Sequence, residues 1–176
     1  MTVNRIIITG PECSGKSSLA SFLCNSLNLY KIHESAVDYL NQLSGDYSSE
    51  DVLNISIQQD FLEKKYLSQF PGSPLICDTS FLVLYIWSIV RYGSVDPWIK
   101  SELDKRKNEL FLLCKPDLDW VDGPFRENPH DRDHLFNLYL DWLLKNDCEF
   151  FIVQRVGKER EQNALDFVKL CLNLNV

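Results

Sequence analysis

The stretch that most narrows what this chain can fold into is GPECSGKSS, residues 10–18, directly behind the apolar run RIIIT. It fills every fixed position of G-x-x-x-x-G-K-[ST] with Gly10, Gly15, Lys16 and Ser17. Gly10 and Gly15 permit backbone turns that a side chain would obstruct. The loop formed by Gly10, Pro11, Glu12, Cys13, Ser14, Gly15, Lys16, Ser17 and Ser18 can then turn its backbone N–H groups onto phosphates. Lys16 reaches the β- and γ-phosphates, and the Ser17 hydroxyl can ligate Mg²⁺. The helix that begins here adds its positive N-terminal end to the same anion. Context agrees with the motif. Val3 to Thr9 is a β-branched run long enough for one buried strand, and Leu19, Phe22, Leu23, Ser26 and Leu27 recur at helical spacing after the loop. Strand, loop and helix together identify a nucleoside-triphosphate loop, with Mg²⁺ expected beside the phosphates.

Composition limits the rest. At 176 residues the chain suits one domain, 1–176, large enough to bury a core. Hydrophobic content of 45% and four tryptophans exclude a disordered chain. A formal net charge of −7 excludes a broad nucleic-acid surface, though not a small polyanion in a local pocket. The most membrane-like stretch, FLVLYIWSIV at 81–90, is too short to span a bilayer and reads as a core helix. The six cysteines at 13, 24, 77, 114, 148 and 171 form no C-x-x-C pair, and no signal peptide precedes Met1. A cytoplasmic protein without disulfides or zinc is the expectation, with Cys13 a small residue that fits its loop.

The order of elements predicts the architecture. Strands are expected at 3–9, 29–34, 75–80, 109–114 and 149–154. Helices are expected from the loop to about Asn28, through Leu43, from Ser48 or Ser49 to near Gln69, over 81–92 and 96–108, after 133, and over 158–172. Alternation of this kind implies an α/β, P-loop NTPase three-layer sandwich: a five-stranded parallel sheet with helices on both faces. Ligands in such sheets sit at the carboxyl ends of strands, so the residues just after each strand carry the chemistry.

Each remaining candidate has two readings. Asp78 ends the third strand, where a carboxylate helps hold Mg²⁺; the alternative is a cap on the following helix. Glu34 ends the second strand and can take a proton from an acceptor hydroxyl or hydrogen-bond a ribose; the alternative is a strand-end or helix-start charge. Arg126 and Arg132 fall in the proline-bearing loop 115–133, from which arginines can close over a nucleotide and stabilise the transferring phosphoryl group; the alternative is solvated loop arginines, which Lys115 exemplifies. Arg160 either lies over the nucleotide base or pairs with Glu159 or Glu161 on a helix surface, the surface reading being slightly the better. Tyr85, Trp98 and Trp120 read first as packing residues and second as platforms for a flat ring. His130 and His134 lack an H-E-x-x-H context and read as surface. Cys114 stands where the asparagine of a guanine-reading N-K-x-D would be, and no D-x-x-G follows the third strand, so a G protein is excluded.

GPECSGKSSLA, DTS after the third strand, and CKPDLDWVDGPFRENPHDRDHLFNLYLDWL together resemble the NadR-like P-loop kinases and ATPases over almost the whole chain. The P-D-x-x-W-x-D-G-x-x-R segment is the specific part. The resemblance implies a nucleoside- or nucleotide-kinase-like fold and ATP-dependent phosphorylation of the 5′-hydroxyl of nicotinamide riboside, giving nicotinamide mononucleotide. It implies that Lys16 and Ser17 hold phosphate and Mg²⁺, that Asp78 lies where hydroxyl and metal meet, and that Arg126 and Arg132 belong to a lid at about 115–133. No nucleic acid or membrane partner is implied. The adenylyltransferase and DNA-binding domains that accompany such a kinase in longer proteins have no counterpart here, so no adenylyltransferase activity is expected. Two positions depart from the usual pattern: Val37 stands where an arginine is common, and Asp78-Thr79-Ser80 carries one carboxylate fewer than D-T-D. Both lie near the expected acceptor. They keep open a kinase for another nucleoside or small metabolite, and a nucleotide-binding regulatory ATPase.

Overall fold

The computed structural model describes residues 3–174. β1 (Arg5–Thr9) is buried at every position, with Ile6 and Ile8 facing one layer and Ile7 the other. A strand covered on both faces is apolar through its middle, which is why Ile6, Ile7 and Ile8 do not alternate with polar residues. β3 (Leu75–Asp78) and β4 (Glu109–Cys114) flank it in parallel, pairing Ile7 with Cys77 on one side and with Phe111 on the other. β5 (Glu149–Val153) and the two-residue β2 (Lys31–Ile32) close the edges, giving the order β2-β3-β1-β4-β5. The strand expected over 29–34 pairs only through Lys31 and Ile32, because it has a neighbour on one side and turns at once into the next helix.

Two helices cover one face. α1 (Lys16–Leu27) and α7 (Gly157–Cys171) place Leu19, Leu23, Ala164 and Val168 against Ile6, Ile8, Ile76 and Leu112. The other face receives α2 (Ser35–Leu40), α3 (Ser49–Gln69), α4 (Phe81–Tyr92), α5 (Pro97–Lys105) and α6 (Arg132–Lys145). The helix starts are set by local partners. Ser48 caps α3 in a reciprocal box with Asp51, and Asp96 caps α5 ahead of Pro97. Gly93 ends α4 at φ 69°. α6 begins at Arg132, so the irregular segment is 115–131 and Arg132 belongs to the helix. Among the described residues no helix is long and apolar enough to cross a membrane.

The end of the sheet away from the phosphate loop holds a buried ionic cluster. Arg5 Nε lies 2.9 Å from Glu63 Oε2, Arg106 pairs with Asp60 at 3.0 Å and with Glu63, and Arg5 approaches Glu109 at 3.6 Å. Burial pushes Glu109 up to about 7 against the opposing pull of Arg106 and Arg5, with Glu63 adding to the rise. The folded chain therefore keeps a proton that the unfolded chain has lost between the ordinary carboxylate range and pH 7. Stability falls across that window as pH rises. Glu109→Gln is expected to flatten this slope, by roughly 2 kcal/mol or about 5 °C in Tm between pH 4.5 and 7.5. Melting both proteins across that range checks it.

Candidate active site

Steric limits shape the phosphate loop. Gly10 has φ 132°, and a Cβ there would stand 2.6 Å from the Cys114 carbonyl oxygen at the end of β4. Gly15 has φ 77°, and a Cβ would meet Leu118 Cδ1 at 2.8 Å. Both glycines are thus needed for conformation and for close approach. Ser14 Oγ and Lys16 Nζ each donate to the Pro11 carbonyl at 2.7 Å, so the lysine ammonium folds over its own loop.

Arg160 braces this loop from beneath. It is buried, donates through Nη2 to the Ser14 carbonyl at 2.7 Å, and donates through Nη1 to Asp117 Oδ1 at 2.7 Å and to the Arg155 carbonyl at 2.9 Å. Asp117 Oδ2 in turn accepts from the Arg155 N–H at 2.8 Å. A surface pairing with Glu159 or Glu161 does not form, because Asp117, 43 positions earlier, takes the guanidinium.

The helix-cap alternative for Asp78 is corrected. Ser80 caps α4, its hydroxyl accepting from the Leu82 N–H at 3.2 Å. Thr79 between them takes φ 84°, a rare conformation for a β-branched residue, with its N–H held by the Ile8 carbonyl at 3.2 Å. This kink lets Ser80 cap the helix while Asp78 stays at the strand end. Asp78 Oδ1 and Thr9 Oγ1 are both buried without a hydrogen-bond partner among protein groups. Orphaned oxygens at the ends of β1 and β3 fit a hydrated divalent cation. Among the described residues no group of three or more His, Cys, Asp or Glu could hold a metal alone. Mg²⁺ seldom needs such a group, since waters and phosphates complete its shell.

A cleft of about 640 Å³ runs from the phosphate loop to the α4 wall. Glu34 lines it, as the residue preceding α2, and makes no side-chain cap. Burial raises the Glu34 carboxyl, against the pull of Lys16 and with the help of Asp78. Asp78 itself does not line the cleft. Arg126 lines the rim, its Nη1 donating to the Val121 carbonyl at 2.5 Å. Arg132 is outside the cleft, where its Nη1 donates to the Leu118 carbonyl at 2.8 Å and the Cys13 carbonyl at 3.4 Å. The 115–131 segment lies across the phosphate loop, touching it through Cys13 Sγ, which donates to the Val121 carbonyl at 3.3 Å, and through the Glu12 carboxylate.

Sequence reasoning overlooked the far wall. Tyr47, Val83, Trp87, Arg91 and Tyr139 line it, with Trp87 Nε1 donating to the Tyr47 hydroxyl at 3.0 Å. The signal was present in α4, where Val83, Trp87, Val90 and Arg91 follow helical spacing and end in a charge that a wholly buried helix would not carry. Tyr85 and Trp98 instead pack beside Trp142 and Phe81, and Trp120 sits on the 115–131 loop with Nε1 donating to Asp122 Oδ1 at 2.6 Å.

A family model described as an AAA domain matches residues 5–160, from the first residue of β1 to the buried Arg160. The chain belongs to the AAA-domain family. Within this AAA-domain chain the likeness to NadR proteins read from the loop and the P-D-x-x-W-x-D-G segment has sequence support. The trifunctional NAD biosynthesis/regulator protein NadR of Salmonella typhimurium is 28% identical over 178 residues, taking in 95% of this chain and 42% of the relative. The chain thus spans about two fifths of that protein. Among solved structures, NadR in complex with NR superposes with a TM-score of 0.84 at 17% identity, covering 99% of this chain and 53% of that one. Deoxyadenosine kinase from M. mycoides superposes at 0.64 and 18% identity, covering 94% and 99%. The fold is that of a P-loop NTPase of the nucleoside-kinase kind, with the five-stranded parallel sheet expected from the sequence.

Proposed function

We propose that this protein is an ATP- and Mg²⁺-dependent kinase that phosphorylates the hydroxyl of a nucleoside, with the 5′-hydroxyl of nicotinamide riboside as its first candidate acceptor. The observation that carries the reading is the single cleft joining the phosphate loop, through Glu34, to the aromatic wall of Tyr47 and Trp87. A cleft for ATP hydrolysis alone needs no second compartment beyond the γ-phosphate. The likeness to NadR, one of whose structures contains NR, supports nicotinamide riboside in particular.

On this reading the acceptor oxygen attacks the γ-phosphorus, the bond to the ADP oxygen breaks, and the hydroxyl proton passes to Glu34. Lys16 and the loop N–H groups neutralise charge on the phosphates, and Arg126 at the rim adds to this as the 115–131 segment closes as a lid. Arg132 and Arg160 act through the backbone they hold. Mg²⁺, held by Ser17 and Asp78, would supply further neutralisation of the β- and γ-oxygens. Glu34 rather than Asp78 is the proton acceptor because Glu34 faces the cleft and Asp78 is buried behind it.

The test is ADP release with Mg-ATP, alone and with nicotinamide riboside, while following nicotinamide mononucleotide. A riboside-dependent rise with stoichiometric product is expected. If the riboside is inert and another nucleoside accepts, the exposed Val37 in the cleft wall is the residue that sets the difference. Slow ADP release indifferent to every nucleoside would replace the kinase with a regulatory ATPase.

A further inference from the structure

Near its end the 115–131 loop is fastened on two sides through one residue, Glu127. On the side of the phosphate loop, the Glu12 carboxylate accepts from the backbone N–H groups of Glu127 and Asn128, each at 3.0 Å. On the opposite wall, the Glu127 carboxylate accepts from Arg91 Nη1 at 2.7 Å and from the Tyr47 hydroxyl at 3.0 Å. Those partners are themselves fixed. The Arg91 guanidinium lies 4.0 Å over the Tyr47 ring, and the Tyr92 hydroxyl donates to the Tyr47 carbonyl at 3.0 Å. Trp87, through its bond to the Tyr47 hydroxyl, joins the same assembly.

A half-exposed ion pair adds little stability by itself. Its importance here is positional, since it joins the wall that would receive the acceptor to the segment whose backbone rests on the phosphate loop. We propose that Glu127 is a positioning residue that couples seating of the acceptor against Tyr47 and Trp87 to closure of the 115–131 loop over the phosphate loop. The inference rests on the kinase reading of the cleft. Its consequence is exclusion of water: with Glu127 engaged, the γ-phosphate meets the acceptor hydroxyl, and with Glu127 disengaged, water competes for it.

Two variants test this, Glu127→Gln in the loop and Arg91→Gln on α4, the second leaving the loop sequence intact. Hydrogen exchange of the Glu127 and Asn128 amides is followed with Mg-ATP and acceptor present, together with the ratio of ADP released to acceptor phosphorylated. In both variants exchange is expected to quicken about ten-fold and the ratio to rise several-fold above one. Unchanged exchange in either variant overturns the proposal, because the pair would then hold nothing. Faster exchange with an unchanged ratio also overturns it, since closure would not be what excludes water. If no nucleoside accepts phosphate, exchange with Mg-ATP alone decides: a quickening in both variants keeps the coupling of the two fastenings and removes only the kinase reading.

Discussion

Lys16→Ala is expected to lower phosphoryl transfer by about a thousand-fold or more while leaving Tm within roughly 3 °C of the parent. The side chain is half-buried and its hydrogen bond is to its own loop, the Pro11 carbonyl at 2.7 Å, so no core contact is lost with it. Alanine also suits the first turn of α1, which Lys16 opens. What disappears is the ammonium that folds over the loop. Negative charge spreads onto the transferring phosphoryl oxygens and the ADP oxygen as the bond between them loosens, so a cation here stabilises the transition state more than bound ATP. ATP affinity should therefore fall far less than turnover, by about ten-fold for one charge-assisted contact. Titrating ATP in the coupled ADP assay, beside a thermal melt, separates the two. A variant that keeps the parent rate would remove the loop from the chemistry.

The phosphate loop was legible because everything that defines it lies within nine residues of one another and its strand and helix abut it. The same holds for the start of α3 at Ser48, which needs only a local partner. Strand order was not legible in detail. Nothing in the sequence says that β1 lies between β3 and β4, since that arrangement is set by crossovers, not by neighbours along the chain. Arg160 was misjudged for a similar reason. Its adjacent glutamates suggest a surface helix pair, whereas its actual partners, Asp117, Ser14 and Arg155, come from three separate turns that meet only in the folded chain. Trp87 escaped notice because an aromatic in an apolar helix looks like core, and only Tyr47, brought in from the turn ahead of α3, reveals that this face of α4 meets a cleft. Ser80, read as a departure from the family pattern, turns out to cap α4, a local duty that a serine performs well.

Glu34→Gln is expected to reduce turnover by roughly a hundred- to ten-thousand-fold, the range ascribed to a positioned general base. The amide keeps the size and shape of the carboxylate, and Glu34 holds no cap bond on α2, so the fold has little to lose. The sharper consequence is in the pH profile. Burial, with Asp78 adding to it, raises the Glu34 carboxyl above its ordinary value of 4.5 despite Lys16 nearby. The group must be deprotonated to accept a proton, so kcat/KM, which reports the free enzyme, should climb as pH rises through this raised value and level off above it. The acid limb should accordingly sit above pH 4.5. Removing the positive charge that opposes the shift ought to push that limb higher still, whereas Asp78→Asn, which removes a negative neighbour, should bring it down. In Glu34→Gln the residual rate should lose this limb altogether. If the variant retains the limb, the titration belongs to another group and Glu34 serves as a hydrogen-bonding contact to the acceptor. A limb that moves with Asp78→Asn and vanishes with Glu34→Gln assigns the titration to the Glu34 carboxylate.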